Sequence, residues 1–269
     1  MLLCIDIGNT NTVLATFEGE KLVHSWRIKT DSRATADELG LLYRGLLATD
    51  AVSLTGIAAC STVPAALRSL RTMLQRYYPG VPTVIVEPGV RTGVQLAIDN
   101  PKEVGTDRVA NTLAAFTLFG GPSIVVDFGT STNFDVVSAR GEFLGGVLAP
   151  GIEISVDALA ARAAQLRKVE LVKPPRVIGK NTVECLQSGV LYGFAGQVDG
   201  LVRRILAELD AGPVTVLGTG GLAPLMAGES ETITTYVPDL TLLGLRLTYL
   251  RNPGGSRPDL PTRRSTHPH

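Results

Sequence analysis

The chain has 269 residues, 45% hydrophobic and 19% charged, a balance that excludes wholesale disorder and allows a sizeable core without a disulfide or metal staple. Lys+Arg 25 against Asp+Glu 25 leaves no net field to draw nucleic acid or an anionic membrane surface. Cys4, Cys60 and Cys185 are scattered and odd in number, and His24 is the one histidine ahead of His267 and His269, so neither a disulfide framework nor a zinc site is indicated.

The opening MLLCIDIGNTNTV has no basic stretch and reaches Asp6 early, so we expect no leader peptide and a cytoplasmic location. No apolar run approaches the ~20 residues of a membrane span. Leu2 to Ile5 reads as a buried strand, Thr12 to Phe17 as a second, and Leu22 to Ile28 as a third after the turn at Glu18-Gly19-Glu20-Lys21. Thr35-Ala36-Asp37-Glu38 opens an amphipathic helix with Leu39, Leu42, Leu46 and Leu47 on one face. A strand at Gly56 to Cys60, a helix from Ala65 to Tyr77 and a short strand at Val84 to Val86 follow. Pro88 to Pro101 reads as loop and extended chain, and Lys102 to Leu118 as helix. The pattern then restarts: strands at Ser123 to Val126, Asn133 to Val137 and Phe143 to Ala149, then a helix from Ile154 to Gln165. Asn181 to Leu209 is expected to be helical with a break near Gly193 or Gly196. A strand at Val214 to Leu217 and a helix at Leu240 to Leu250 close the ordered part. From Asn252 onward the Pro-, Gly-, Ser- and Arg-rich composition predicts a disordered tail.

The repeat is the most informative feature. Strand, Asp-x-Gly, hydroxyl-rich turn, strand, glycine turn, strand occurs at Asp6 and again 121 residues later at Asp127. That period indicates duplicated domains, since solenoid repeats are ~20–50 residues long. An Asp at the end of a buried strand, followed by Gly and hydroxyls in a tight hairpin, suits nucleotide phosphates. Gly8 and Gly129 allow close approach and φ > 0 where required. Turn amides with Asn9, Thr10 and Thr130 supply uncharged donors, and Asp6 and Asp127 can hold a cation as hard oxygen ligands. A single copy of the motif reads as well as a plain hairpin with an Asp cap. Two copies favour the nucleotide.

Gly179-Lys180-Asn181 lacks the Walker A glycine spacing and the following Ser/Thr, so P-loop chemistry is not expected. Gly218-Thr219-Gly220-Gly221 after a strand suits contact with a nucleoside, or is a plain turn. Gly105-Thr106-Asp107-Arg108 starts a predicted helix. There the dipole stabilises the Asp107 carboxylate, which can accept a hydroxyl proton, and Arg108 is a planar donor for carboxylate or phosphate. On these four residues alone a helix-start Asp with a solvated Arg is the better reading, and Thr182 reads equally as a first-turn residue.

DIGNTNT at 6–12, DNPKEVGTDR at 99–108, DFGTSTNFDVV at 127–137, GEFLGGVLAPG at 141–151, GKNT at 179–182 and GTGG at 218–221, taken in order, resemble the type III pantothenate kinase family of the actin-like ATPase superfamily. The resemblance covers about residues 1–250. It implies an α/β fold of two duplicated ribonuclease-H-like domains, 1–118 and 119–251, with the nucleotide cleft between them, and leaves the tail at 252–269 outside. It implies ATP-dependent phosphorylation of pantothenate to 4′-phosphopantothenate, the first step of coenzyme A synthesis, by a homodimer. Carried over by position, Asp6, Ile7, Gly8, Asn9, Thr10, Asn11, Thr12, Val13 and Thr130 bind ATP, which arrives with Mg²⁺. Gly105, Thr106, Asp107 and Arg108 contact pantothenate, with Asp107 as the general base, and Thr182 reaches it from the partner subunit. Asp127 binds a monovalent cation, K⁺ or NH₄⁺.

Three positions depart from the family pattern: Ile98 where an aromatic residue is common, Thr106 for the usual Ala, and Thr130-Ser131-Thr132-Asn133 for Thr-Ala-Thr-Thr. They bear on substrate affinity and leave the reaction intact. The competing reading is a non-catalytic nucleotide-binding relative acting as a regulator. The joint presence of Asp6, Gly8, Asp107, Asp127 and Thr130 favours the kinase.

Overall fold

The computed structural model describes residues 1–48, 53–162 and 169–252. They form two compact units, one of Met1–Arg91 with the described residues from Thr248 on, the other of Thr92–Leu247.

In the first unit, β1 (Leu2–Ile7), β2 (Asn11–Glu18) and β3 (Lys21–Lys29) make an antiparallel meander, and β4 (Gly56–Ser61) and β5 (Thr83–Ile85) extend it in parallel. The sheet order is β3-β2-β1-β4-β5. β1 lies at the centre, which is why its sequence LLCIDI is apolar on both faces instead of alternating. Helix α1 (Ala36–Ala48) opens on a reciprocal cap: Glu38 N–H donates to Thr35 Oγ1 at 3.3 Å, and Thr35 N–H donates to Glu38 Oε2 at 2.7 Å. Tyr43 and Leu47 of α1 and Leu70 and Met73 of α2 (Pro64–Tyr77) pack with Leu3, Ile5 and Leu14 into one core.

The second unit repeats the plan. Strands β6 (Ser123–Phe128), β7 (Ser131–Val137) and β8 (Phe143–Pro150) are antiparallel, and β9 (Thr215–Thr219) and β10 (Thr235–Tyr236) add in parallel, in the order β10-β9-β6-β7-β8. Read from the meander edge, the two sheets have the same order, the ribonuclease-H-like arrangement. Helix α3 (Thr106–Phe119), which the repeat in the sequence assigned to the first half, packs on β6 and β7 of this sheet. Helices α4 (Ile152–Arg162), α5 (Thr182–Leu209), α6 (Ala223–Met226) and α7 (Leu240–Arg251) complete the fold. Ile124, Val126 and Phe134 pack with Leu191, Val198 and Val202 of α5 as its main core.

Several local expectations change. α5 runs unbroken through Gly193 and Gly196, whose faces meet open space, so neither is a packing point that would bend it. α3 begins at Thr106, because Pro101–Glu103 close a separate 3-10 turn and Gly105 is the cap. α6 and β10 were not expected; at four and two residues they are too short to leave a periodic signal. The expected helix at 154–165 starts earlier, at Ile152, and its end lies outside the described residues, as does the expected tail beyond Asn252. Asn252 itself is tied down, its Nδ2 donating to Arg91 O at 2.9 Å and Thr248 O at 2.8 Å. No helix among the described residues is long and apolar enough to cross a membrane.

Candidate functional site

A cluster of charged and amide groups forms where the start of α3 meets the β6–β7 hairpin, all within the second unit. Asp107 is the second residue of α3, where the orphan N–H groups of the helix end favour a carboxylate; its Oδ1 accepts from Arg108 N–H at 2.9 Å. Burial raises its carboxyl above the ordinary range, and the backbone N–H of Arg108 and the Arg108 charge pull the other way. One turn further on, Asn111 faces the same side. It is fully buried, accepts from Thr241 Oγ1 at 2.8 Å, and donates to Asp127 Oδ2 at 3.3 Å.

Asp127 is the penultimate residue of β6. Burial pushes its carboxyl up to about 7, the Asp107 charge adds to the rise, and the Asn111 hydrogen bond opposes it. Gly220, at φ 93° in the turn after β9, lies so close that a Cβ would sit 2.4 Å from Asp127 Oδ1. The positive φ that Gly8 and Gly129 could have taken is found here instead, and neither of those two has it. Two mutually repelling carboxyls with raised pKa values are the condition a bound cation relieves. Among the described residues no three His, Cys, Asp or Glu gather as a metal cage.

Arg108 turns its guanidinium to Asp135 of β7, with Nε 2.6 Å from Oδ1. The Asp135 side chain is 0% exposed and that of Arg108 16%, so the pair is desolvated and must be mutually held. Burial pushes Asp135 up to about 7 and Arg108 holds it back. The Phe143 ring lies under the guanidinium at 5.1 Å, and Gly146 beside it is required chiefly by the Phe134 carbonyl, 1.7 Å from where a Cβ would sit. Nε is thus engaged within the protein, and the remaining N–H groups are the ones able to meet an anion.

The other candidate residues fall in three places. Asp6 closes β1 of the first unit and accepts from Cys60 Sγ at 3.2 Å; Gly8 to Thr10 form the turn, with Gly8 N–H donating to Asn11 O at 3.0 Å. Ile7 and Thr12 are buried, Asn9 and Thr10 are exposed, and Asn11 to Val13 belong to β2. Thr130 is exposed at the tip of the β6–β7 turn. Gly105 and Thr106 are the cap and first residue of α3. Thr182 is the exposed first residue of α5, beside the Asn181 cap, and among the described residues no hydrogen bond joins it to the Asp107 cluster. Asn111 and Asp135 were missed from the sequence. The signals were present, an amide four residues after Asp107 on the same helix face, and a carboxylate inside the apolar run Phe134 to Val137.

A family model described as type III pantothenate kinase matches residues 2–204. The type III pantothenate kinase of Salinispora arenicola is 74% identical over 253 residues, covering 94% of this chain and 100% of that one. That of Saccharopolyspora erythraea is 67% identical over 264 residues, with 94% and 100% covered. Among solved structures, the activator of the 2-hydroxyisocaproyl-CoA dehydratase from Clostridium difficile with bound ADPNP aligns at TM-score 0.56 and 14% identity, covering 91% of this chain and 92% of that one. This last likeness is one of fold alone.

Proposed function

Since the chain belongs to the type III pantothenate kinase family, we propose that it phosphorylates pantothenate with ATP to give 4′-phosphopantothenate, the entry step of coenzyme A synthesis. The observation that carries the reading is the α3–hairpin cluster, which holds a carboxylate of raised pKa next to a half-buried guanidinium oriented by Asp135. Asp107 takes the proton of the pantothenate hydroxyl as its oxygen attacks the γ-phosphorus. The new O–P bond forms as the bond to the β,γ-bridging oxygen breaks, and ADP departs. A base with a raised pKa suits this task, because proton affinity near the working pH makes transfer effective. Arg108 receives the pantothenate carboxylate through its unengaged N–H groups, with Gly105 and Thr106 lining the approach.

The turn from Asp6 to Val13 and the Thr130 tip supply amides and hydroxyls to ATP. Phosphoryl transfer has a loose transition state, so such positioning and charge neutralisation supply most of the rate. Asp127 would hold K⁺ or NH₄⁺, and Mg²⁺ would arrive with ATP; such cations offset the charge of the phosphates. We further propose a cytoplasmic homodimer in which Thr182 completes the partner's pantothenate site. Exposed Leu148, Val177, Ile178 and Val183 support an apolar contact surface in the second unit. The test is incubation of the purified protein with ATP, Mg²⁺, K⁺ and pantothenate, with mass detection of 4′-phosphopantothenate and a parallel reaction lacking K⁺. Absence of that product under saturating substrates refutes the activity.

A further inference from the structure

Thr30 stands just past the end of β3, outside the Asp6–Val13 motif, yet it makes contact with three residues of that motif. Its backbone N–H donates to Thr10 O at 2.9 Å. Its hydroxyl donates to Gly8 O at 2.8 Å, and its Oγ1 lies 2.9 Å from Thr12 Oγ1. A hydroxyl has one proton, so with Thr30 giving its own to Gly8, the Thr12 hydroxyl is the donor to Thr30. Thr12 is buried, 4% exposed, which anchors the chain of bonds in the core of the first unit.

The consequence lies in the peptide between Gly8 and Asn9. It is trans and planar, so a Gly8 carbonyl held toward Thr30 turns the Asn9 N–H to the opposite side, at an exposed residue. Without that tether, the two polar ends of a glycine-containing turn peptide can exchange places. A carbonyl would then stand where an anion needs a donor.

We propose that Thr30 is a positioning residue for ATP, clasping the Gly8–Thr12 turn so that the Asn9 N–H, and not the Gly8 carbonyl, faces the phosphates. The inference rests on the reading of that turn as an ATP-binding loop. Thr30 also lines a cavity of about 230 Å³ with Ile7, Thr12, Ile28 and Tyr43, so a methyl in place of its hydroxyl has room and does not overpack the site.

The experiment compares Thr30→Val, which keeps shape and the backbone bond but loses the hydroxyl, with Thr30→Ser, which restores it, and Asp6→Asn. In the full chain, Thr30→Val should raise KM for ATP by about fivefold, the worth of one net hydrogen bond. KM for pantothenate should stay within about twofold, and Thr30→Ser should recover most of the loss. Should Thr30→Val fail to fold, Thr30→Ala gives the same comparison. A wild-type KM for ATP in the folded variant, an equal rise in both KM values, or a Ser variant as impaired as Val overturns the proposal. If Asp6→Asn impairs ATP use while Thr30→Val does not, only the clasp is wrong. If Asp6→Asn also leaves ATP kinetics untouched, the turn is not an ATP loop and both readings fall.

Discussion

The β1–β2 turn spans four residues between the paired Ile7 and Thr12, whereas the β6–β7 turn spans three between Phe128 and Thr132. Both strands end on the same Asp-x-Gly pattern and both sheets have the same order, yet the groups that meet the two carboxylates differ. Asp6 is opposite Cys60 on its parallel neighbour and accepts from that thiol. Asp127 is opposite Thr219 and accepts from Asn111, with the Asp107 charge near enough to raise its pKa. Where the second copy needs a left-handed glycine, Gly220, the first carries Ser61. A repeated backbone therefore delivers two equivalent carboxylates, and tertiary neighbours decide their chemistry. In the first copy the loop is clasped by Thr30 and its carboxylate meets a thiol; in the second the carboxylate joins a charge cluster at the start of α3.

That contrast breaks most severely at Asp107. Asp107→Asn keeps the shape but cannot take a proton, so kcat should fall by ~10²–10⁴-fold, with KM for ATP little changed. The sign of the pH dependence follows from the raised carboxyl. The base works only when ionised, so wild-type kcat should decline on acidification beginning above the ordinary aspartate range. The residual rate of the variant should lack that limb, and a pH–rate profile of both proteins checks it. Next in size is Arg108→Ala. It strands a fully buried carboxylate whose Oδ2 has no hydrogen-bond partner, so stability should drop by ~3 kcal/mol. KM for pantothenate should rise as well, and denaturant melts with steady-state kinetics separate the two effects.

Much of this was legible in the sequence because it is local. Apolar runs marked the long strands, the Asp-x-Gly repeat marked the two hairpins, and Thr35 with Glu38 marked the start of α1. The misses have a common physical origin. The α5 glycines looked like breaks because propensity disfavours them, but packing of Leu191, Val198 and Val202 on the sheet outweighs a cost of ~1 kcal/mol each. Asn111 and Asp135 gain their importance from burial and from partners 16 and 27 residues away, which no window of sequence displays. The same is true of Thr30, whose links to the turn reach back as far as 22 residues.

The halves can also be compared away from the charged cluster. In the second unit, Asp199 of α5 is 5% exposed and accepts hydrogen bonds from Ser230 Oγ at 2.6 Å, Thr232 Oγ1 at 2.8 Å and the N–H groups of Glu231 and Thr232 at 3.1 Å. In the first, Asp37 of α1 pairs with Arg76 and Tyr77 of α2 at the surface. Burial alone would raise the Asp199 carboxyl, but the bonds from Ser230, Glu231 and Thr232 together hold it below the ordinary range. A depressed folded value means the stabilisation is full above the unfolded pKa of ~3.9 and disappears as pH falls through the folded value. Asp199→Asn should therefore lower stability by about 2 kcal/mol at neutral pH, with the gap closing in acid. A gap that stays constant down to the acid transition would show that the carboxylate charge is not what holds the 230–232 segment.

The smallest effect is expected at Cys60, the residue that faces Asp6 where Asn111 serves Asp127. Cys60 is fully buried on a central strand, and its thiol is 3.2 Å from Asp6 Oδ1. A thiol is a weak donor, so its bond to the carboxylate contributes far less than the amide does in the second copy. Cys60→Ala removes one sulfur from a strand whose neighbours, Ala58 and Ala59, are already small. Stability should fall by about 1 kcal/mol, mostly from lost packing, with KM for ATP within about twofold of wild type. Asn111→Ala is the matched arm in the second copy. It leaves Asp127 without its buried donor and Thr241 without its acceptor, so it should reduce activity as well as stability. If Cys60→Ala instead raises KM for ATP as strongly as Asn111→Ala disturbs catalysis, the thiol tunes Asp6 as the amide tunes Asp127. The two copies would then be chemically equivalent as well as topologically so, and the contrast between a clasped loop and a charge cluster would have to be abandoned.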